Sequence, residues 1–118
     1  MIVEFYRLED GTKPAGIFIK AVEDKKLKAK IIRSTKLLEQ YGAELTEPDS
    51  KHLEDGIFEL RTIQGNNIAR CLYFFTMGDK AIVTNGIIKK SDETPRSVIE
   101  IAKKYREDYE RRIKDGRY

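Results

Sequence analysis

The chain predicts an α+β fold, a small twisted, mostly antiparallel sheet with two N-terminal helices and a C-terminal helix, in the order β-α-α-β-β-β-α. Three observations carry that prediction. Residues 56–90 hold three runs rich in β-branched and aromatic side chains, punctuated by Gly and Asn, which read as an antiparallel meander. Residues 25–41 and 95–113 repeat their apolar positions at helical spacing. The 118 residues show no internal repeat or low-complexity tract, so 1–118 is read as a single domain with one core.

In order along the chain, Met1 to Tyr6 is the first strand, and Glu9-Asp10-Gly11 a turn. Pro14 then opens a short helix carrying Ile17, Phe18, Ala21 and Val22, because proline's fixed φ and missing N–H suit a first helical position. A second helix, Lys25 to Tyr41, sets Leu27, Ile31 and Leu38 on one stripe, broadened by Ile32 and Leu37, and Gly42 stops it. The acidic, turn-rich residues 43–55 read as a connection. Strands follow over 56–63, 68–75 and 81–90, joined by Gly65-Asn66 and Gly78-Asp79, each suited to a type II′ turn. Thr94 is the expected N-cap and Pro95 the first residue of the last helix, whose Val98, Ala102, Tyr105 and Tyr109 form a packing stripe. Arg96, Lys103, Lys104, Arg106, Arg111 and Arg112 are left for its outer face.

Two-residue loops would set Arg61 opposite Arg70 and Lys89 opposite Ile68. Side chains alternate along a strand, so Arg61, Arg70 and Lys89 would then share one face, whereas an odd loop or a bulge would reverse a strand. Phe58, Leu60, Thr62, Ala69, Cys71, Tyr73, Phe75, Ile82, Thr84, Gly86 and Ile88 fall on the opposite face, which reads as core. Ile57, Ile63, Leu72, Phe74, Val83 and Ile87 accompany the cations, so that face needs partial cover. Like charges opposite one another destabilise a sheet. Three of them on a partly apolar wall point to an anion.

Net charge is +3, and unevenly distributed: Lys20 to Lys36 holds seven cations, and Glu39 to Glu59 seven carboxylates. A basic face attracts polyanions in a salt-sensitive way, although a charge run is also the ordinary outside of a helix. Cys71 is the one cysteine, so no intrachain disulfide forms, and it is expected as a buried apolar thiol. No apolar run is long enough to cross a membrane, and Met1 to Tyr6 is too short for a secretion signal, so the cytoplasm is expected and no membrane partner. With one histidine and scattered carboxylates, neither a metal site nor another cofactor is expected. Nucleophilic triads and phosphate-cradling glycine loops are absent from the sequence.

The strings Lys51-His52-Leu53-Glu54-Asp55-Gly56-Ile57-Phe58-Glu59-Leu60-Arg61, Arg70-Cys71-Leu72-Tyr73-Phe74, Gly86-Ile87-Ile88-Lys89-Lys90 and Thr94-Pro95 resemble the RelE/ParE toxin superfamily, nearest its HigB-like, phage-derived branch. The resemblance implies a type II toxin, an endoribonuclease that cuts mRNA on the ribosome without a metal, with a cognate helix-turn-helix antitoxin as partner. It also implies that Arg61, Arg70 and Lys89 or Lys90 occupy a cationic site on the sheet. RelE carries a tyrosine shortly after that cationic segment; residues 89–95 here have none, and Tyr109 reads as packing.

Such chemistry uses the ribose 2′-hydroxyl as nucleophile, so it needs cations at the phosphate, a base and an acid. Arginine suits the phosphate because its planar guanidinium grips two oxygens and stays charged. Arg61, Arg70 and Lys89 are thus the expected catalytic set, with Lys89 moving a proton and Glu59 as rival base or as counter-charge to Arg61. Lys51, His52, Glu59 and Lys90 are expected RNA contacts. Two other readings stay open: a ParE-like inhibitor of DNA gyrase, and a protein that binds RNA or antitoxin without turnover.

Overall fold

The computed structural model describes residues 1–90 and 93–118; Ser91 and Asp92, between the last expected strand and the last helix, lie outside the described residues. The strands are β1 (Ile2–Phe5), β2 (Ser50–Glu54), β3 (Ile57–Gln64), β4 (Asn67–Phe75) and β5 (Lys80–Lys89). The helices are α1 (Pro14–Ala21), α2 (Lys25–Tyr41) and α3 (Arg96–Lys114). One five-stranded sheet runs in the order β1-β5-β4-β3-β2. The α+β class and all the expected elements are present, with one strand more. The sheet is mixed, since β1 pairs parallel to β5 while the other pairs are antiparallel.

The extra strand is β2, in the segment expected as a connection. Asp55 and Gly56 both adopt positive φ, 49° and 77°, and turn β2 onto β3. Asp-Gly tolerates two successive left-handed residues, which is what a tight hairpin needs. β2 supplies Lys51 opposite Glu59 and His52 opposite Phe58.

The β3–β4 register matches the expectation, with Gln64 opposite Asn67 and Arg61 opposite Arg70. Between β4 and β5 two departures cancel. The loop is not a two-residue type II′ turn: Thr76 N–H donates to Lys80 O at 2.9 Å, closing a three-residue loop. A bulge between Leu72 and Tyr73 then adds one residue to β5, so Ile68 faces Lys89 as expected. Between loop and bulge the faces are swapped. Val83 joins the core with Tyr73 and Ala81, and Ile82 turns to the opposite layer with Phe74. Thr84, at the bulge, satisfies its hydroxyl on Leu72 O at 3.2 Å and Asn85 Oδ1 at 2.7 Å.

Helices cover both faces. α1 and α2 pack Ala15, Ile19, Leu27, Ile31 and Leu38 against Leu60, Ala69, Cys71, Tyr73 and Val83. Cys71 is buried and its thiol is pushed up to about 12 by burial, as a structural thiol should be. α3 covers the other face with Val98, Ile99, Ala102 and Tyr109 over Ile57, Leu72, Phe74 and Ile82. The expected α3 stripe is therefore packing, and Tyr109 stands edge-on to Phe74 at 5.6 Å. Arg112, expected outside, is buried: its guanidinium donates to Asp108 and to Arg7 O beneath the Tyr118 ring. Burial alone would raise the Asp108 pKa, but the Tyr6 hydroxyl and Arg112 outweigh it and hold the carboxyl below its ordinary range.

Two details fix how the helices dock. Gly86 lies under the Phe18 ring, where a Cβ would meet ring atoms at 2.5–3.0 Å. At its other end the fold clamps α3 to the β2–β3 hairpin: Arg96 and Lys103 both donate to the Glu54 carboxylate, Lys103 also pairs with Asp55 at 2.9 Å, and Arg106 donates to Asp55 O.

Gly86→Val should cost about 1–3 kcal/mol in urea unfolding through overpacking, and a Phe18→Ala background should remove most of that cost, as a double-mutant cycle would show. The Arg96 and Lys103 hydrogen bonds lower the Glu54 pKa from an ordinary 4.5 to about 2. A depressed carboxyl stabilises the fold above its unfolded pKa and loses that contribution as pH falls toward its folded one. Stability should therefore decline between about pH 4.5 and pH 2, and Glu54→Gln should flatten that part of the pH profile.

Candidate functional site

The α3 face of the sheet gathers the polar groups that the sequence singled out. Cross-strand pairing puts Arg61 directly opposite Arg70, and Glu59 one pair along, opposite Leu72 on one side and Lys51 on the other. Arg70 is 0% exposed and Glu59 2%. Removing charges from water costs several kcal/mol per ion unless they are paired and hydrogen-bonded.

Thr94 supplies the link. Its hydroxyl donates to Glu59 Oε1 and accepts from Arg70 Nη1 at 3.2 Å, so one oxygen joins carboxylate to guanidinium. On the other side, Arg61 Nε stands 3.6 Å from Glu59 Oε2, an ion-pair separation too long for a hydrogen bond. That nitrogen is buried and makes no hydrogen bond among the described residues, while the Arg61 side chain remains 22% exposed. A buried guanidinium N–H without a hydrogen bond among the described residues suits an anionic oxygen.

Above Glu59 an open cleft of about 210 Å³ is lined by Lys51, Leu53, Glu59, Thr94 and Ile99, with His52 and Glu93 also contributing. β2 makes one wall, and the approach to α3 the other. Arg61 also faces a second, larger cleft of about 590 Å³, between α2 and the end of β3, with Lys30 and Arg33 on one side and Glu44, Glu47 and Asp49 on the other.

The structure thus brings together Arg61, Arg70, Glu59 and Lys51. Lys89 shares their face by register but stands exposed at the end of β5, opposite Ile68, and Lys90 is exposed just beyond the strand. His52 pairs with Phe58, and its ring stands edge-on to the Phe58 ring at 4.9 Å, while its Nε2 accepts the Gly56 N–H at 3.2 Å. Phe58 packs against the α1/α2 layer, so the imidazole is turned away from the arginines.

Thr94 is the residue that sequence reasoning missed. A threonine before a proline at a helix start reads as an N-cap, yet Pro95 occupies the cap position and Thr94 makes no side-chain cap. Its hydroxyl is committed across the layers instead. The Asp-Gly hairpin signal at 55–56 was available to place Lys51 on a strand; nothing local marks Thr94.

An α+β domain with a helix-covered sheet and a buried arginine-carboxylate cluster is the class defined so far. Residues 18–107 match the family described as phage-derived protein Gp49-like (DUF891). The chain belongs to that family, a RelE/HigB-like group associated with the toxins of toxin-antitoxin systems. No match is found among the curated proteins.

Thr94→Val keeps the shape and removes the hydroxyl, leaving Glu59 and Arg70 each short of a buried partner. It should lower stability by about 1–3 kcal/mol in denaturant titration, well beyond the loss from Thr35→Val, where an exposed hydroxyl bonds only Ile32 O.

Proposed function

We propose that this protein is a toxin acting as an endoribonuclease on mRNA at the ribosome, by attack of a ribose 2′-hydroxyl on the adjacent phosphate, and that a cognate helix-turn-helix antitoxin restrains it. One observation carries the reading: two arginines stand opposite each other on neighbouring strands with a buried glutamate beside them. Like-charge pairing and charge burial both cost stability. A phosphate offsets both.

In this scheme the 2′-oxygen bonds to phosphorus while the bond from phosphorus to the 5′-oxygen breaks, leaving a 2′,3′-cyclic phosphate and a free 5′-hydroxyl. Glu59 takes the 2′-proton. Lys51, across the strand pair from Glu59 and on the cleft wall, gives a proton to the leaving 5′-oxygen. Arg61 and Arg70 neutralise the charge growing on the non-bridging oxygens, the kind of transition-state contact worth about 3 kcal/mol per donor. Reaching Arg70 requires Thr94 to exchange its hydrogen bond for the phosphate. Lys89 and Lys90, at the exposed end of β5, hold flanking phosphates, and His52 takes no part in proton transfer. No step calls on a metal, so cleavage should persist in chelator. DNA lacks the 2′-hydroxyl and should survive intact.

The full burial of Arg70 favours a second reading. There the cluster serves to hold α3 on the sheet, and the protein binds RNA or its antitoxin without turnover.

The two readings part on Arg61, whose side chain is partly exposed. Arg61→Ala should reduce cleavage by about 10²–10³-fold with little change in melting temperature, read by primer extension on mRNA during controlled expression. Glu59→Gln should also reduce cleavage, but with a lower melting temperature, because it removes a buried counter-charge of the arginines. Full toxicity with uncut mRNA, or gyrase-dependent DNA breaks in its place, would reject the ribonuclease.

A further inference from the structure

The cleft of about 590 Å³ that Arg61 faces has walls of opposite charge. One face of α2 forms the first wall, with Lys30, Arg33, Leu37 and Tyr41 at helical spacing. Residues 44–49, between α2 and β2, form the second and bring Glu44, Glu47 and Asp49. The end of β3 closes the cleft with Arg61 and Ile63. Opposite charges gathered so near one another would ordinarily pair. Among the described residues, however, the side chains of Arg33, Glu44, Glu47 and Asp49 make no ion pair and no hydrogen bond, and the buried Arg61 Nε makes no hydrogen bond. A cleft that holds both signs apart suits a ligand carrying an anion at one end and hydrogen-bond donors at the other.

The cleft is preformed. The Ser34 and Thr62 hydroxyls share a hydrogen bond at 2.9 Å, and Lys30 Nζ donates to Ile63 O at 3.2 Å, so α2 is tied to β3. Asp49 O accepts the Arg61 N–H at 2.9 Å, which tethers the acidic wall to the strand that carries Arg61. Lys30 is thus committed to the scaffold, and Arg33 and Arg61 remain to take an anion.

Shape and length narrow the ligand. Tyr41 is 47% exposed and Ile63 55%, so the cleft offers an aromatic ring and an apolar edge to what enters it. Arg33 and Tyr41 lie eight residues apart on one helix, about 12 Å along its axis. That is close to the span of a nucleotide from phosphate to the far edge of its base. Glu44 lies in the single 3₁₀ turn Gly42–Glu44 that follows Tyr41, so a base stacked on the ring has a carboxylate at its edge. A carboxylate accepts hydrogen bonds and donates none. Guanine presents N1–H and its exocyclic amine side by side and can engage both oxygens, whereas uracil presents one donor between two carbonyl oxygens that a carboxylate repels. The described acids do not converge closely enough to hold a metal ion in place of a base.

We propose that the cleft between α2 and β3 binds a guanine nucleotide of an RNA chain, with its phosphate between Arg33 and Arg61, its base stacked on Tyr41 and the base edge read by Glu44. The choice of RNA rests on the ribonuclease reading, and the cleft deepens it. Arg61 both pairs with Glu59 and lines this cleft, so a strand gripped there has its guanosine on the α2 side and its scissile linkage beside Glu59.

The test titrates the full chain with guanosine and uridine 3′-monophosphates, followed by calorimetry and amide chemical shifts. Guanosine monophosphate should bind saturably and perturb residues 30–49 and 61–63, and uridine monophosphate should bind at least about tenfold more weakly. Tyr41→Ala should weaken guanosine monophosphate at least about tenfold, while Tyr41→Phe, which keeps the ring, should bind like the parent. Glu44→Ala should bring the two nucleotides to near-equal affinity. Arg33→Ala should weaken both alike and make binding less dependent on salt. All three side chains are exposed, so melting temperatures should stay unchanged. No binding, equal binding of the two nucleotides by the parent, or an unaffected Tyr41→Ala variant would overturn the proposal. Equally tight binding of inorganic phosphate or of free glutamate would overturn it too, assigning the cleft to a simple anion or an amino acid. The readout needs no turnover: guanosine monophosphate binding without mRNA cleavage would reject the ribonuclease alone, and cleavage without that binding would reject the guanine site alone.

Discussion

The contact on which the rest of this structure depends is the one that keeps the Arg70 guanidinium out of water. Arg70 sits in the middle of the sheet, on the strand flanked by both β3 and β5, and it is sealed by the segment that begins α3. The Thr94 hydroxyl connects it to the Glu59 carboxylate, which also stands beside Arg61. A cluster of this kind does little for stability compared with apolar packing of the same volume. What it does is hold opposite charges in a fixed geometry beside a cleft.

α3 is the element that makes the arrangement possible. Its apolar stripe supplies a second core layer over Leu72, Phe74 and Ile82, and this layer excludes water from the arginines below the helix start. Two polar clamps set its position: Glu54 and Asp55 grip Arg96 and Lys103 near one end, and Tyr6, Asp108 and Arg112 tie the other end to the strand β1 region. The helix thus both buries the site and aligns Thr94 over it. On the opposite layer α2 carries a run of cations from Lys25 to Lys36, two of which, Lys30 and Arg33, border the cleft that Arg61 also lines.

Much of this was legible in residues 56–90. Alternation and the Gly65-Asn66 turn predicted the pairing of Arg61 with Arg70, and the observed register agrees. The agreement of Lys89 with Ile68 came by another route, since an odd loop at 77–79 and a bulge after Leu72 each shift the strand and together restore it. Parity reasoning cannot see such a pair of compensating shifts, and it misplaced Ile82 and Val83 between them. β2 was missed because its residues are polar and acidic, and an edge strand carrying Lys51 and His52 lacks the apolar signature of a central one.

The amino-acid order by itself determined most of the local elements: which stretches coil, which extend, where Pro14, Gly42 and the glycine turns begin or end them, and that Arg61 and Glu59 lie on one side of their strand. These follow from backbone sterics and side-chain period, which act within a few residues. Only the tertiary structure decided that Thr94 closes the cluster, that Arg112 is buried and that Ile32 stays exposed on α2. Each of those is settled by a partner more than twenty residues away or by the cover that another layer provides, and burial and pairing of charge are properties of that assembled environment.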